Sequence, residues 1–167
     1  PSAQLFVEQK VVLDDYIIEG GGTADALIFD QGLLTLIDLK CGAGVAVRDF
    51  TQLRLYALGA LDQYDCIFDT YQVHLTYIQP RNGGITHEEM SVKELRAWGE
   101  TVKPLARKAW DGTGEFKAGK HCRFCKLRNT CRALSSEVMK IAESAFGENK
   151  ELSEAEIENL LPLIPMV

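Results

Sequence analysis

The stretch from Gly22 to Lys40 constrains the fold more than any other part of the sequence. It contains two apolar runs, at about residues 23–29 and 33–39, that are rich in Leu, Ile and Phe. Such runs are typical of buried β-strands. The tripeptide Asp30-Gln31-Gly32 between them is typical of a tight turn in which glycine supplies a positive φ. The stretch therefore predicts a β-hairpin in the interior of a sheet.

Three charged residues interrupt this hairpin, namely Asp25, Asp38 and Lys40. Because side chains alternate along a strand, Asp38 and Lys40 point to the same side. Charges inside an apolar sheet are costly unless they pair or bind a metal ion, and a divalent cation would also relieve the repulsion between two carboxylates. The hairpin alone leaves two interpretations open: a metal site with a lysine beside it, or a structural ion pair between Asp38 and Lys40.

The remaining pattern predicts an α/β fold with a central mixed sheet flanked by helices. Further strands are predicted at Leu5–Leu13 and Val73–Gln79, and helices from Asp49 or Thr51 to about Tyr64, from Ser91 to about Trp110, from about Arg132 to Phe146, and from Ser153 onward. Residues 80–84 are predicted as a loop. We expect a core over residues 1–115 and a Cys-containing, partly basic appendage over residues 116–167.

Charge is distributed unevenly along the chain. The formal net charge is −6, but residues 103–132 contain nine Lys/Arg and two acids, so this segment carries +7 and the remainder −13. A local basic surface is compatible with nucleic-acid binding, and a solvated helix face plus loop is the alternative. The sequence has no apolar run long enough to span a bilayer and no secretory signal at its start, so we expect a cytoplasmic protein without a membrane partner.

Three of the five cysteines, Cys122, Cys125 and Cys131, fall within ten residues of each other. Their thiolates suit zinc or an iron–sulfur cluster, and without an export signal a disulfide framework is not expected. His121 is a competing zinc ligand, although its position next to Cys122 makes joint ligation awkward. Free thiols in a loop are the alternative. Cys41 is expected to be a small packing residue beside the second strand of the hairpin, and Cys66 to be buried at a helix end.

Four motifs occur in order along the chain: Gly22-Thr23-Ala24-Asp25, Ile37-Asp38-Leu39-Lys40, Gln52-Leu53-Arg54-Leu55-Tyr56 and Cys122-x2-Cys125-x5-Cys131. With these motifs the sequence resembles the PD-(D/E)XK nuclease superfamily. Within it the sequence is similar to the RecB-like branch, which includes AddB nuclease domains and phage-encoded RecB-like exonucleases. The resemblance covers about residues 5–132. It implies a restriction-endonuclease-like core and metal-dependent hydrolysis of DNA phosphodiester bonds.

The resemblance assigns roles to the charged residues of the hairpin. It implies that Asp25 and Asp38 bind Mg²⁺ or Mn²⁺ together with the backbone carbonyl of Leu39. It implies that Lys40 acts on the attacking water or on the scissile phosphate. Glu8, on the neighbouring strand, is a further candidate metal ligand, and an exposed strand carboxylate explains it equally well.

The third motif places Gln52 and Tyr56 four residues apart on one helix face. The resemblance implies that Gln52 orients Lys40 or binds a phosphate oxygen, and that Tyr56 supports the active site. An isolated tyrosine at this spacing would instead be interpreted as a core residue. Basic residues predicted to contact DNA are Arg48, Arg54, Lys120 and Arg123, with a solvated face as an equally good interpretation of the first two.

The sequence departs from the family pattern at its N-terminal side. Iron–sulfur members of this branch hold a [4Fe–4S] cluster with a fourth cysteine upstream of the strands, and the family core starts with a helix that faces the metals. Neither feature is found before Leu5. We therefore expect this chain to be N-terminally truncated and its cluster ligands to be incomplete.

Three functions follow from these patterns. The favoured one is an exonuclease-like deoxyribonuclease of phage or bacterial recombination or repair, working with DNA and with a helicase or recombination protein. The second is a catalytically inactive, nuclease-like DNA-binding or scaffold module. The third is a small metal-binding interaction domain in which the basic Cys-rich tail makes the contacts.

Overall fold

The computed structural model describes residues 3–42, 46–64, 66–145, 153–155 and 157, without the side chains of residues 120, 144 and 145. Backbone packing divides the chain into two units, residues 1–114 and 115–167. Within the described residues, no helix is both long enough and apolar enough to cross a membrane.

The first unit is an α/β layer built on a five-stranded mixed sheet. Its elements in chain order are β1 (Gln4–Val12), β2 (Gly21–Asp30), β3 (Leu33–Leu39), α1 (Thr51–Tyr64), β4 (Gln72–Gln79), β5 (Gly84–Ser91) and α2 (Val92–Trp110). The strands lie in sequence order, and every neighbouring pair is antiparallel except β3 and β4. Parallel neighbours need a crossover, which α1 supplies. The predicted α/β fold is confirmed, and it is consistent with a restriction-endonuclease-like core.

The hydrophobic core lies between the sheet and α1. Leu53, Leu58 and Leu61 of α1 are fully buried. They pack in one cluster with inward-facing residues of the strands, among them Leu27, Phe29, Leu34, Leu36, Val73, Leu75 and Tyr77. Because side chains alternate along a strand, Leu34, Leu36 and Asp38 form one buried row on β3. The third position of that row is therefore a carboxylate at the C-terminal end of the strand.

The hairpin predicted from the sequence is confirmed. Strands β2 and β3 pair antiparallel from Asp30–Leu33 to Ala26–Ile37. The turn residues Gln31 and Gly32 have φ values of 45° and 84°. Two consecutive positive φ values are typical of the tight hairpin turn whose twist matches the flanking strands.

Several sequence-based expectations were wrong. Residues 80–83 form a turn as predicted, but no strand was predicted for Gly84–Ser91, which forms β5, an edge strand whose polar residues are mostly exposed or half-buried. Pro104 lies inside the predicted helix, and α2 nevertheless runs continuously from Val92 to Trp110 behind a capping box formed by Ser91 and Glu94. Cys41 and Cys66 are exposed rather than buried in the interior.

The second unit contains a short 3₁₀ helix, Lys120–Phe124, and α3, Arg132–Ala145. Its small core consists of buried Cys122 and Leu134 with Val138 and Ile141 packed against them. The helix predicted from Ser153 lies largely outside the described residues.

Candidate active site

The first motif brings Asp25 to the end of the β2–β3 ladder. The last backbone pair of that ladder is Ala26 with Ile37, so the same register places Asp25 beside Asp38. At this point a side chain replaces a backbone acceptor, because the Leu39 N–H donates to Oδ2 of Asp25 at 2.8 Å. The carboxylate of Asp25 is thereby fixed against the strand that carries the second motif.

A local distortion of the sheet aims Asp25 in this direction. The β1–β2 register is continuous on both sides but leaves Glu8 and Asp25 unpaired, and Glu8 has a φ of 51°. Leu27 is buried on one side of this break and Ala24 on the other, although three residues along a regular strand would face opposite ways. The strand therefore changes face at Asp25, which frees that residue from the regular alternation.

Asp38 and Lys40 form an ion pair at the C-terminal end of β3. Asp38 is 4% exposed. The Lys40 ammonium donates to Oδ1 of Asp38 at 3.1 Å and lies 2.9 Å from Oδ2 without hydrogen-bond geometry. Buried Oδ2 meets no hydrogen-bond criterion among the described residues, so its partner is the positive charge of that ammonium. The ion pair compensates the burial of the Asp38 carboxylate.

A relay of hydrogen bonds joins Lys40 to the third motif on α1. The Lys40 ammonium donates to Oε1 of Gln52 at 3.2 Å, and Nε2 of Gln52 donates to the Tyr56 hydroxyl at 3.2 Å. Tyr56 in turn lies against Gly22, where an added Cβ would come within 2.3 Å of the hydroxyl oxygen. The glycine of the first motif thus makes room for the tyrosine of the third.

Tyr77, which the sequence predicted only as a strand residue, supports the same ion pair. In the β3–β4 register it pairs with Asp38, and the Lys40 ammonium lies 5.7 Å from the centre of its ring. Its hydroxyl donates to the backbone carbonyl of Asp49 at 3.3 Å. Burial, followed by the negative charges of Asp38 and Asp49, raises the pKa of Tyr77 to about 12. Tyr77 therefore lines the site as an uncharged phenol throughout the physiological pH range.

Gln79 is a second residue that sequence reasoning missed. It is 1% exposed and forms two hydrogen bonds with the backbone of Val47, accepting from the N–H at 2.6 Å and donating to the carbonyl at 2.8 Å. These bonds fix the segment that leads into α1. The sequence shows only a glutamine at the end of a predicted strand. Its burial and its partner Val47 become visible only in the fold.

Glu8, the candidate ligand on the neighbouring strand β1, is not grouped with Asp25 and Asp38 in the described structure. Glu8 is exposed. Among the described residues, no group of three or more His, Cys, Asp or Glu side chains is arranged to hold a metal ion, so Glu8 does not complete a set with Asp25 and Asp38. The candidate ligands that the fold brings together are two carboxylates and the strand end at Leu39.

The predicted DNA contacts have different surroundings. Arg48 is exposed. Arg54 forms a two-pronged ion pair with Glu88 of β5, and its guanidinium lies 5.4 Å from the centre of the Trp98 ring. The bond to Glu88 raises the pKa of Arg54. The positive charge of Arg54 is therefore paired with a carboxylate within the first unit.

The cysteines of the second unit differ in exposure. Cys122 is buried, Cys131 is half-buried and Cys125 is exposed. The Cys122 sulfur accepts a hydrogen bond from the Gly119 N–H at 3.4 Å. In the described structure these three side chains do not form a metal-ligating group. The exposed Arg123 lies in the same segment, and the side chain of Lys120 lies outside the described residues.

The fold and the site define a mixed-sheet α/β protein with a buried carboxylate, a partly exposed lysine and a supporting helix at one end of its central strands. The chain belongs to the family described as "Protein of unknown function (DUF2800)", which matches residues 1–167. It is also similar to the crystal structure of SSO0001, with 17% sequence identity and a TM-score of 0.47. The match covers 77% of this chain and 60% of the other chain.

Proposed function

We propose that this protein is a metal-dependent deoxyribonuclease of the PD-(D/E)XK type, similar to the RecB-like branch. The observation that carries the proposal is the contact network that joins three separate motifs. Asp38 contacts Lys40, Lys40 contacts Gln52, Gln52 contacts Tyr56, and Tyr56 packs against Gly22. A structural ion pair alone would explain the first of these contacts but not the convergence of the others.

The donor atoms at the site fit a small divalent cation. Asp25, Asp38 and the carbonyl of Leu39 would hold Mg²⁺ or Mn²⁺, which prefer oxygen ligands. The chemistry of these donors supports the fit, because Asp25 is held against the strand end that carries Asp38 and Leu39. A bound cation would polarise the scissile phosphate and help to generate the nucleophile from water.

In the proposed reaction Lys40 acts on the phosphate, and its surroundings support this role. Its side chain is 33% exposed, whereas that of Asp38 is 6% exposed, so the ammonium lies between the buried carboxylate and solvent. Asp38 and Gln52 hold it from two sides. A positive charge fixed in this way stabilises the negative charge that develops on the phosphate in the transition state.

The proposal also covers the substrate, the mode of cleavage and the biological process. DNA is the proposed substrate, cleavage is exonuclease-like, and the setting is phage or bacterial recombination or repair with a helicase or recombination protein as partner. The cysteines at positions 122, 125 and 131 are proposed to contribute to a [4Fe–4S] cluster or a zinc site. These extensions rest on the sequence resemblance.

The test is cleavage of end-labelled DNA by the full chain in Mg²⁺ or Mn²⁺. We expect Asp38→Asn and Lys40→Met to lower the cleavage rate by at least about a hundredfold. Asp30→Asn is the matched control, because Asp30 is an exposed carboxylate at the other end of β2. Cleavage at the same rate by all four proteins, or undiminished in EDTA, would contradict the proposal.

A catalytically inactive DNA-binding module is the second candidate function. It is favoured by the absence, among the described residues, of a third acidic side chain that joins Asp25 and Asp38. For this function we expect DNA binding that does not require a divalent cation and no cleavage in either metal. The same assay, read beside a binding titration, separates the two functions.

A further inference from the structure

The second unit exposes large apolar side chains that its own small core does not use. Phe116 is 76% exposed, Phe124 is 81% exposed and Leu127 is 60% exposed. Most apolar side chains of this size are at least partly buried in a folded chain. Large apolar side chains are also exposed elsewhere in the chain, and these three differ in lying within twelve residues of each other in the second unit.

Positive charge surrounds these side chains. Residues 115–132 contain six Lys/Arg and a single acid, Glu115. The basic side chains that the structure describes in this range are all exposed: Lys117, Arg123, Lys126, Arg128 and Arg132. The net charge of +5 favours a negatively charged partner over a basic or a neutral apolar one.

The arrangement of these groups is specific. Phe116, Leu127 and Arg132 line a shallow cleft of about 240 Å³, together with residues 130, 131 and 133. Beside this cleft in the sequence, the Arg123 guanidinium lies 5.5 Å from the centre of the Phe124 ring. Both places therefore combine an apolar or aromatic surface with a cation.

We propose that these two places form one surface, defined by Phe116, Arg123, Phe124, Leu127 and Arg132, and that this surface binds single-stranded DNA. Flat aromatic rings stack on nucleobases, and arginines beside them contact the phosphates. A duplex hides the faces of its bases, so it would use the charges of this surface but not its rings. The proposal deepens the proposed function, on which it rests, by assigning the strand form that the second unit recognises.

The experiment measures binding of the full chain to fluorescein-labelled oligothymidine and to a duplex of equal length, in EDTA so that no cleavage occurs. Phe124→Ala and Phe116→Ala should each weaken single-strand binding by about tenfold, as expected for the loss of one stacked base, and duplex binding by less than twofold. Ile85→Ala is the matched control, because Ile85 is 67% exposed on β5 of the other unit. Arg123→Gln should weaken both and reduce the salt dependence.

Three results would overturn the proposal. The first is an unchanged single-strand affinity of both phenylalanine variants, and the second is an equal loss of affinity for single strand and duplex. The third is that the two variants keep their DNA affinity but no longer self-associate. Circular dichroism melting of each variant excludes unfolding as the cause. The outcome is independent of the nuclease assay. If wild type cleaves DNA but the phenylalanine variants bind single strands as tightly as wild type, only the proposed surface is rejected. If the phenylalanine variants bind more weakly but wild type does not cleave DNA, only the nuclease activity is rejected.

Discussion

At the scale of single residues, the glycine of the first motif is explained by a neighbour from another motif. Gly22 has no room for a side chain, because a Cβ would lie 2.3 Å from the Tyr56 hydroxyl. Tyr56 is the end of the relay that begins at Lys40. The identity of residue 22 therefore determines whether the helix can present its motif to the lysine.

We predict that Gly22→Ala displaces Tyr56 and slows DNA cleavage roughly ten- to a hundredfold, since small misplacements of supporting groups are costly. Single-turnover cleavage with saturating Mn²⁺ measures this effect. Gly114→Ala is the control, because the nearest atom to its added Cβ is an ordinary 3.9 Å away. Equal rates for wild type and Gly22→Ala would show that the close approach of Tyr56 has no functional role.

A second residue-scale prediction concerns Tyr77, whose pKa is raised by burial and by Asp38 to about 12. Below about pH 10 the phenol is protonated in both the folded and the unfolded chain, so full stability is present. Above that pH only the unfolded chain loses the proton, and stability falls as pH rises toward the folded-state pKa. By pH 11 this effect amounts to about 1 kcal/mol.

Urea unfolding at pH 9 and pH 11 measures this pH-dependent loss of stability. The loss of stability between the two pH values should be smaller for Tyr77→Phe than for wild type by that amount. Tyr71→Phe, with an exposed ring, serves as the matched variant. If wild type and Tyr77→Phe lose equal stability, Tyr77 does not couple ionisation to folding.

At the scale of elements, Arg54 connects α1 to β5. It pairs with Glu88 while its guanidinium lies near the Trp98 ring. Both side chains of the pair are about one quarter exposed, so solvent screens their attraction. The sequence left Arg54 as a DNA contact or as part of a solvated face. It could not show the pairing with Glu88, because that partner lies 34 residues away.

We predict that Arg54→Gln and Glu88→Gln each lower the free energy of unfolding by about 0.5–1 kcal/mol and that their effects are not additive. Urea denaturation of both variants and the double variant measures the coupling. DNA affinity and its salt dependence should remain unchanged. A shallower salt dependence in Arg54→Gln but not in Glu88→Gln would instead identify Arg54 as a phosphate contact.

At the scale of the whole molecule, the sequence predicted the parts of the fold that are encoded locally. The β2–β3 hairpin follows from two apolar runs and a Gly-containing turn between them. The edge strand β5 was missed, because its sequence Gly84–Ser91 has exposed polar side chains and no clear apolar face. Edge strands bury little, so the hydrophobic signal that marks strands is weak there.

The candidate site shows the same division. The motif residues were visible as charges in unfavourable places, namely Asp25, Asp38 and Lys40. Their support was not visible, since the Leu39–Asp25 hydrogen bond and the Gln79 contacts with Val47 depend on strand pairing and chain reversal. Tyr77 looked like any apolar strand residue. Tertiary contacts between distant segments thus supply the half of the site that local patterns leave out.

The central claim is that the hairpin from Gly22 to Lys40 holds a divalent cation, and electron paramagnetic resonance of free Mn²⁺ tests it most directly. The full chain should bind Mn²⁺, and Asp25→Asn and Asp38→Asn should each weaken that binding by at least about tenfold, because each removes a charged oxygen ligand. Asp30→Asn should bind as wild type does. Mn²⁺ binding of equal strength in all four proteins, or none in any of them, would contradict the claim.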